Sequence, residues 1–328
     1  MGVEMLILIV ILGLLFDYTN GFHDAANVVS TVIATRVLTP LSAIVMAATL
    51  NFIGATQISG VAQTVATGLV HIEHATELVV FSAIISAIIW NIITWYYGIP
   101  SSSSYALIGG LLGAAIFHQN LAAIIWKGVF YKVAIPMIVS PILGFSIGII
   151  LMKILNSAVL CRHKDHSIFK HLQIGSSCFV ALSHGLNDAQ KSMGIITLGL
   201  VSANVIASPT IPLWVILSCA IVMGLGTASG GFRIINTMGF SITKIDPMQG
   251  FAAESSTSIV ILAASFLGMP ISSTHMIAGS ITGVGAAQGR HAVNWHIPLK
   301  ILFAMLITIP GSALVSALVF SFSRFLLA

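Results

Sequence analysis

Charged residues are scarce in this sequence: only 7% of its 328 residues are Asp, Glu, Lys or Arg, whereas 57% are hydrophobic. A water-soluble globule of this size needs far more polar surface, so this composition excludes one. The expected solvent is lipid. A bilayer core about 30 Å thick takes about 20 apolar residues per helix. Such stretches recur along nearly the whole chain, which excludes a single membrane anchor.

Cysteine and N-terminal positive charge are also nearly absent. The three cysteines, Cys161, Cys178 and Cys219, show no paired spacing, which argues against a zinc site or a disulfide framework. No Lys or Arg precedes Arg36, so no cleavable signal peptide is expected. The formal net charge of +4 comes mostly from connecting loops, where it sets membrane topology rather than binding nucleic acid.

One clearly polar stretch, residues 156–172, divides the chain nearly in half. We expect a first membrane repeat over residues 1–155 and a second over residues 173–328. Because positive loops stay inside, the stretch is predicted to be a cytoplasmic linker of an inner-membrane protein, and opposed halves then place both chain termini outside. The basic residues that cluster there are Lys153, Arg162, Lys164 and Lys170.

The two halves resemble each other in their polar and glycine positions. Gly-Phe-His-Asp-Ala at 21–25 returns as Gly-Leu-Asn-Asp-Ala at 185–189, 164 positions later. Gly-Ile-Pro-Ser-Ser-Ser-Ser at 98–104 matches Gly-Met-Pro-Ile-Ser-Ser-Thr at 268–274, 170 positions later. The same offset relates a glycine pair in each half: Gly109 and Gly113, Gly279 and Gly283.

Duplicated halves with Gly- and Pro-interrupted apolar segments at corresponding positions are typical of a secondary transporter whose site lies between the repeats. We therefore predict an all-α, polytopic transmembrane bundle built from two inverted repeats. It should contain broken helices and half-helix hairpins, with about 10–12 membrane segments.

Ionisable residues interrupt the first apolar segment. One helix over residues 4–38 would be about 50 Å long, well beyond the membrane core, so a break is predicted near Gly21. Exposed backbone at that depth survives only where it is buried in protein or lines a wet cavity. Asp24 and Asn27, spaced i and i+3, would face that cavity together.

The second half repeats this spacing with Asp188 and Lys191. Because intramembrane ionisable residues are costly and usually functional, we assign a transport role to Asp24 and Asp188. Lys191 is expected to pair with Asp188 in the empty state, with direct contact to an anion as the alternative. Three histidines either contact substrate or protons or merely bond a neighbouring carbonyl: His23, His184 and His275.

The two Pro-Ser blocks predict two helix N-termini, because proline starts a helix well and the following hydroxyl residues cap it. Such ends offer free backbone N–H groups, hydroxyl donors and a partial positive charge, which together bind an anion. Two ends facing each other across a pseudo-twofold axis would form an oxyanion cradle; ordinary capped helix ends are the alternative. The hydroxyl residues are Ser102, Ser103, Ser104, Ser272, Ser273 and Thr274.

An oxyanion beside acidic residues requires an accompanying cation, so symport is expected. Asp24 and Asp188, with Asn27, either bind sodium as oxygen ligands or carry protons. Hydrogenphosphate has a P–OH donor that a carboxylate accepts and sulfate lacks, which favours phosphate. Glu254 lies in an apolar helix where the first half has Ile84, so we predict a role in cation or proton coupling outside the cradle; a carboxyl paired by a neighbouring hydroxyl is the alternative.

These residues resemble the duplicated signature of the inorganic phosphate transporter (Pit) family, Gly-x-Asn-Asp-x-x-Asn together with Pro-x-Ser-[Ser/Thr]-[Ser/Thr]-His. The resemblance covers essentially the whole chain and rests on residues 20–27, 183–191 and 270–275. The sequence is similar to bacterial low-affinity phosphate permeases in particular. His23 replaces the commoner Asn of the first copy, and Tyr105 stands where the second copy has a histidine.

The resemblance implies an all-helical inverted-repeat carrier that holds phosphate near the midplane and is driven by a cation gradient. Proton coupling, with a metal–phosphate complex as a further form of the substrate, is usual for the bacterial branch. No cofactor or resident metal is expected. We expect the protein to form a homodimer in the lipid bilayer. We expect the coupling ion at Asp24, Asn27, Asn187, Asp188, Glu254 and His275. Phosphate is expected at the six hydroxyl residues together with Asp24, Asp188 and Lys191.

Three other functions fit parts of this pattern. The same cradle could carry sulfate, which competition in proteoliposomes separates from phosphate. An intramembrane enzyme could use Asp24, Asp188 or Glu254 as acid or base, but nothing resembles a nucleophile with an oriented base. A channel is the third, although discontinuous helices at matching positions favour a carrier.

Overall fold

The computed structural model describes residues 2–160 and 167–327, and this part of the chain folds into 13 α-helices joined by short loops and 3-10 turns. Two π-helical stretches, Val129–Ala134 and Thr237–Ser241, continue α6 and α10. The first half contains α1 (Gly2–Ala34), α2 (Pro40–Ala55), α3 (Gly60–Thr67), α4 (Glu77–Tyr96), α5 (Ser103–Gln119), α6 (Trp126–Gly128) and α7 (Ile135–Leu160). The second half contains α8 (Ser167–Ser202), α9 (Leu213–Ser229), α10 (Phe232–Asn236), α11 (Pro247–Phe266), α12 (Ser273–Gln288) and α13 (His296–Leu327).

Five of the described helical stretches are long and apolar enough to cross a bilayer, or as many as seven if each bent pair of helices forms one span. α8 has 36 residues but carries the polar residues of the second motif in its middle. The chain is thus an all-helical, multi-pass membrane protein, as predicted. The five stretches are Val3–Ala34, Glu77–Tyr96, Ser103–Ala123, Trp126–Ser157 and His296–Leu326.

The predicted break near Gly21 is wrong, because α1 is one continuous helix. Gly21 serves a close helix crossing instead: a Cβ there would lie 2.7 Å from the carbonyl oxygen of Met223 in α9. Gly185 of α8 makes the equivalent approach to α2, where a Cβ would lie 2.2 Å from the carbonyl oxygen of Asn51. Breaks do occur at matching places elsewhere, with a 67° bend between α2 and α3 and a 62° bend between α9 and α10.

The two halves are arranged as inverted repeats. α1 corresponds to α8, α2–α3 to α9–α10, α4 to α11, α5 to α12 and α7 to α13. Equivalent helices exchange partners: α1 packs on α9 and α8 on α2, while α5 packs on α13 and α12 on α7. Loops repeat too, since Val70 forms an antiparallel bridge with Ile124, and Thr243 with Val293. These four helix pairs therefore join one half to the other.

The repeated glycine pairs lie at two of these close helix contacts. A Cβ at Gly113 of α5 would lie 2.3 Å from the carbonyl oxygen of Ala313 in α13. A Cβ at Gly283 of α12 would lie 2.1 Å from the carbonyl oxygen of Phe145 in α7. Small residues spaced by four let membrane helices approach closely, so these glycines join each short helix to the last helix of the other half.

The predicted linker at residues 156–172 is described only in part. α7 continues through Leu160 and α8 begins at Ser167, so both flanks of the linker are helical rather than loop. Arg162 and Lys164, on which the positive-inside prediction partly depends, lie outside the described residues.

Candidate functional site

Both hydroxyl blocks start a helix, as predicted. The Ser102 hydroxyl accepts a hydrogen bond from the Tyr105 backbone N–H at 3.2 Å and caps α5. The Ser272 hydroxyl accepts one from the His275 N–H at 3.3 Å and caps α12. Each block follows a tight turn at a glycine with φ of +62°, Gly98 after α4 and Gly268 after α11, a conformation that glycine adopts without strain. α4–α5 and α11–α12 are therefore two equivalent helical hairpins.

The long helices α1 and α8 bring one carboxylate to each hairpin. The Ser103 hydroxyl donates to Asp24 Oδ2 at 2.5 Å, and the Ser273 hydroxyl donates to Asp188 Oδ2 at 2.6 Å. All four side chains are buried. The same serine–aspartate contact thus occurs once in each half, as a pseudo-twofold axis requires.

A second set of contacts crosses between the halves. Asn27 Nδ2 of the first half donates to Thr274 Oγ1 at 2.9 Å and to Ser273 Oγ at 3.2 Å in the second. Lys191, which stands at the position equivalent to Asn27, donates to Ser104 Oγ of the first half at 2.5 Å. Its ammonium also donates to Asp188 Oδ1, the pairing that the sequence predicted. The site therefore lies between the repeats.

Each carboxylate also contacts a histidine. His23 Nδ1 lies 2.8 Å from Asp24 Oδ1, and His184 Nε2 lies 2.7 Å from Asp188 Oδ2. Asp24, His184 and Asp188 offer one ligand atom each within 4.8 Å of one another, so one cation placed among them would contact all three. His275 differs: its ring stacks on Tyr105 at 5.6 Å, and neither ring nitrogen has a hydrogen-bond partner among the described residues.

Two of the predicted residues lie outside this cradle. Asn187 Nδ2 donates to the Ser265 hydroxyl at 2.9 Å and to the Met269 carbonyl at 3.2 Å, which ties α8 to the second hairpin. Glu254 accepts at Oε1 from Thr31 at 2.6 Å. Gln173 donates to the same Oε1 at 3.1 Å, and Ser176 donates to Oε2 at 2.5 Å. Glu254 is therefore held by neutral donors. Its partner Thr31 lies on α1, about two helical turns beyond Asp24.

Sequence reasoning missed several polar partners of these residues. Asn20 Oδ1 lies 2.5 Å from the Ser103 hydroxyl, whose single proton it shares with Asp24 Oδ2, and Asp17 Oδ1 accepts a hydrogen bond from Ser192 at 2.6 Å. A signal was present in the spacing of Asp17, Asn20 and Asp24 at i, i+3 and i+7, which places them on one helix face. The predicted break at Gly21 concealed that face.

A basic cavity of about 460 Å³ adjoins the first hairpin and is lined by Gly98, Pro100, Arg233 and Lys300. Arg233 Nη1 donates to the Tyr96 carbonyl at 2.5 Å, and its guanidinium lies 5.2 Å from the centre of the Tyr96 ring. Positive charge in a cleft draws anions toward it. The cavity lies beside the Gly98–Pro100 turn that precedes the hydroxyl block.

Two inverted repeats, two hairpins capped by hydroxyl residues and a buried polar site between them are the architecture of a membrane transporter. The sequence profile of the phosphate transporter family matches residues 20–167 and again residues 161–316. The chain belongs to that family, which confirms the resemblance read from the motifs. The family is one of transporters, the class that the sequence favoured over an intramembrane enzyme.

Similar proteins support the same placement. A protein of Bacillus subtilis (strain 168) named "Probable low-affinity inorganic phosphate transporter" is 44% identical over 320 residues, covering 96% of each chain. One of the same name from Rhizobium meliloti (strain 1021) is 44% identical over 319 residues, covering 96% of this chain and 95% of that protein. A solved structure named "The sodium-dependent phosphate transporter" superposes with a TM-score of 0.89 at 26% identity, covering 98% of this chain and 99% of that one.

Proposed function

We propose that this protein carries inorganic phosphate across the inner membrane by cation-coupled symport, with a proton as the coupling ion. The observation that carries the proposal is the twofold cradle, in which Ser103 meets Asp24 and Ser273 meets Asp188. Family membership and the names of the relatives support phosphate as the cargo.

The cradle suits a hydrogenphosphate ion and its cation together. The Ser103 and Ser273 hydroxyls, which donate to Asp24 and Asp188 in this structure, can turn their single protons to a phosphate oxygen instead. The starts of α5 and α12 add backbone N–H groups and positive helix ends. A carboxylate accepts a hydrogen bond from the P–OH group of hydrogenphosphate. A cation bound among Asp24, His184 and Asp188 offsets the negative charge of the phosphate and the carboxylates. Sulfate lacks that donor at neutral pH, so we expect weaker binding of sulfate.

Two features support a proton rather than sodium. His23 and His184 give each carboxylate a titratable neighbour at hydrogen-bond distance. Lys191 supplies a fixed ammonium beside Asp188, where the first half has Asn27, and this charge takes the place of one mobile cation. The similar solved structure is named for sodium dependence, so both ions have to be compared directly. Phosphate complexed with a divalent metal is the further form of the substrate to compare.

The test is uptake of radiolabelled phosphate into liposomes that contain the purified protein. We expect an inward proton gradient to drive accumulation, an inward sodium gradient to add little, and unlabelled phosphate to compete far better than sulfate. Accumulation under the sodium gradient alone would contradict proton coupling, and equal competition by sulfate would contradict the choice of substrate. The homodimer stays a prediction. Measuring the mass of the purified protein in detergent tests it.

We propose that the region between α7 and α8 is cytoplasmic and that both termini are outside. The helix order then puts the loop between α8 and α9 outside. In a variant whose native cysteines are replaced, Ser167→Cys should resist a membrane-impermeant thiol reagent added to intact cells, whereas Ser208→Cys should react. The reverse pattern would invert the topology.

Single hydroxyl deletions on the cradle should weaken phosphate binding without abolishing it. Removing one hydrogen bond to a charged ligand costs about 1.5 to 3 kcal/mol, or about 10- to 150-fold in affinity. We therefore expect Ser103→Ala and Ser273→Ala each to raise the Kd for phosphate within that range. Ser82→Ala is the matched control, because the buried Ser82 hydroxyl donates to the Leu78 carbonyl of its own helix. An unchanged Kd in one of the two site variants would exclude a symmetric cradle.

A further inference from the structure

One face of α1 carries a row of buried polar side chains on both sides of the cradle. The row consists of Asp17, Asn20, Asp24, Asn27 and Thr31, at alternating spacings of three and four, the pattern of a single helix face. From first to last it covers about 21 Å at about 1.5 Å per residue. Asp24 lies in the middle, with seven residues to each end.

The C-terminal end of this row is Thr31, which donates to Glu254. Its N-terminal end is Asp17. Asp17 is completely buried. Its Oδ1 accepts the hydrogen bond from the Ser192 hydroxyl of α8 at 2.6 Å, while its Oδ2 has no hydrogen-bond partner among the described residues. The cradle is therefore flanked by one buried carboxyl on each side, and the cradle contacts described above do not involve Asp17.

No cationic side chain of the described residues lies within salt-bridge distance of Asp17. The titratable groups that face it are Asp188 on α8 and the Cys219 thiol on α9, and neither supplies positive charge. α2 has no ionisable side chain. Five charged or titratable groups of the helices around α1 contact other residues: Lys191 and His184 contact Asp188, Arg233 contacts Tyr96, Glu254 contacts Thr31, and His275 stacks on Tyr105.

A carboxylate in this position would carry a buried charge without compensation, which is among the most costly arrangements in a membrane protein. Either a cation or a proton has to neutralise it. A metal cation needs several oxygen ligands at once, as Ca²⁺ with about six to eight illustrates, whereas among the described residues Ser192 is the one side chain hydrogen-bonded to Asp17. A proton needs a single oxygen, and the open Oδ2 provides it.

We infer that Asp17, positioned by Ser192, is a proton-binding site of the transport cycle, separate from the phosphate cradle. Asp17 takes a proton from water on the side of the membrane that α1 reaches with its N-terminus and becomes a neutral carboxylic acid. It returns to the carboxylate when it releases the proton to water on the opposite side. One proton is bound and one is released in each cycle. This inference rests on the proposed proton-coupled function and names a residue that performs the coupling.

The experiment compares Asp17→Asn, which mimics the protonated acid, with Asp17→Glu, which restores a titratable carboxyl. Liposomes loaded with a pH-sensitive dye report proton entry while labelled phosphate reports transport. We expect Asp17→Asn to lose the proton entry that accompanies phosphate and to lose the dependence of uptake on external pH. Asp17→Glu should recover both in part, and Ser192→Ala should shift the pH of half-maximal uptake. Asp246→Asn, the same chemical change at the cap of α11, should behave like the parent.

Each outcome decides between the two proposals. If the parent takes up no phosphate, or takes it up with sodium alone, the proposed coupling fails and this inference fails with it. If the parent couples phosphate to protons and Asp17→Asn does so with the same stoichiometry and pH dependence, only the inference about Asp17 is overturned.

A measurement on the unaltered protein covers variants that fail to fold. A carbodiimide that modifies buried protonated carboxyls should label Asp17, more at low external pH than at high. Because no Lys or Arg precedes Arg36, fragmentation of that peptide in the mass spectrometer has to separate Asp17 from Glu4 and Asp24. The absence of a pH-dependent label on Asp17 itself would overturn the inference.

Discussion

Asp24→Asn should abolish phosphate accumulation while the protein still inserts and folds. The amide has nearly the shape of the carboxylate and keeps one oxygen, which can accept the short hydrogen bond that Ser103 donates to Asp24, but it removes the negative charge that the coupling cation needs. No lysine or arginine pairs with Asp24 among the described residues, so no buried cation is left unpaired. The measurements are labelled phosphate uptake and the elution profile of the detergent-extracted protein.

Asp188→Asn should also abolish accumulation, but it should reduce stability as well. Asp188 is the partner of the buried Lys191 ammonium, and removing one member of a buried ion pair typically costs about 3 to 5 kcal/mol. Sequence repetition makes the two aspartates look equivalent, and Lys191 in place of Asn27 makes them different. Thermal unfolding in detergent should show a lower Tm for Asp188→Asn than for Asp24→Asn.

The double variant Asp188→Asn with Lys191→Gln separates the two effects. It removes the unpaired ammonium, so we expect the Tm to recover in part while phosphate accumulation stays absent. If either single variant accumulates phosphate at the parental rate, the assignment of the cradle is wrong.

The local parts of this site were predictable because local chemistry specifies them. Proline followed by hydroxyl residues gives a helix start wherever it occurs, and α5 and α12 begin at Ser103 and Ser273 inside the predicted blocks. The pairing of Asp188 with Lys191 follows from i, i+3 spacing on one helix. Repetition of both motifs then placed the site between the halves.

The long-range parts were not predictable from composition or spacing. Gly21 was interpreted as a break, yet it permits α9 to cross α1 at close range, a role that depends on a helix more than 200 residues further along the chain. The partners of Glu254 come from α1 and α8, and no periodicity within α11 identifies them. Single-sequence reasoning identifies the polar residues that are costly to bury but not the residues that satisfy them.

Gly283→Ala and Gly113→Ala should prevent formation of the folded transporter. The new methyl carbon would lie 2.1 Å from the Phe145 carbonyl oxygen in the first case and 2.3 Å from that of Ala313 in the second. Those atoms are backbone, so relief requires two helices to move apart. Overpacking costs typically about 1 to 3 kcal/mol where side chains can adjust, and backbone contacts of this kind should exceed that range.

Gly175→Ala is the matched control, because Gly175 is also inside a helix and a Cβ there meets nothing within 4 Å. Alanine is favoured over glycine in a helix interior by about 0.5 to 1 kcal/mol, so this variant should be as stable as the parent or slightly more stable. Size-exclusion profiles and Tm values in detergent compare the three variants. The contacts of α5 with α13 and of α12 with α7 are equivalent. Gly113→Ala and Gly283→Ala should therefore both fail to fold. A stable, active Gly283→Ala protein would show that the halves are not held together by these glycine contacts.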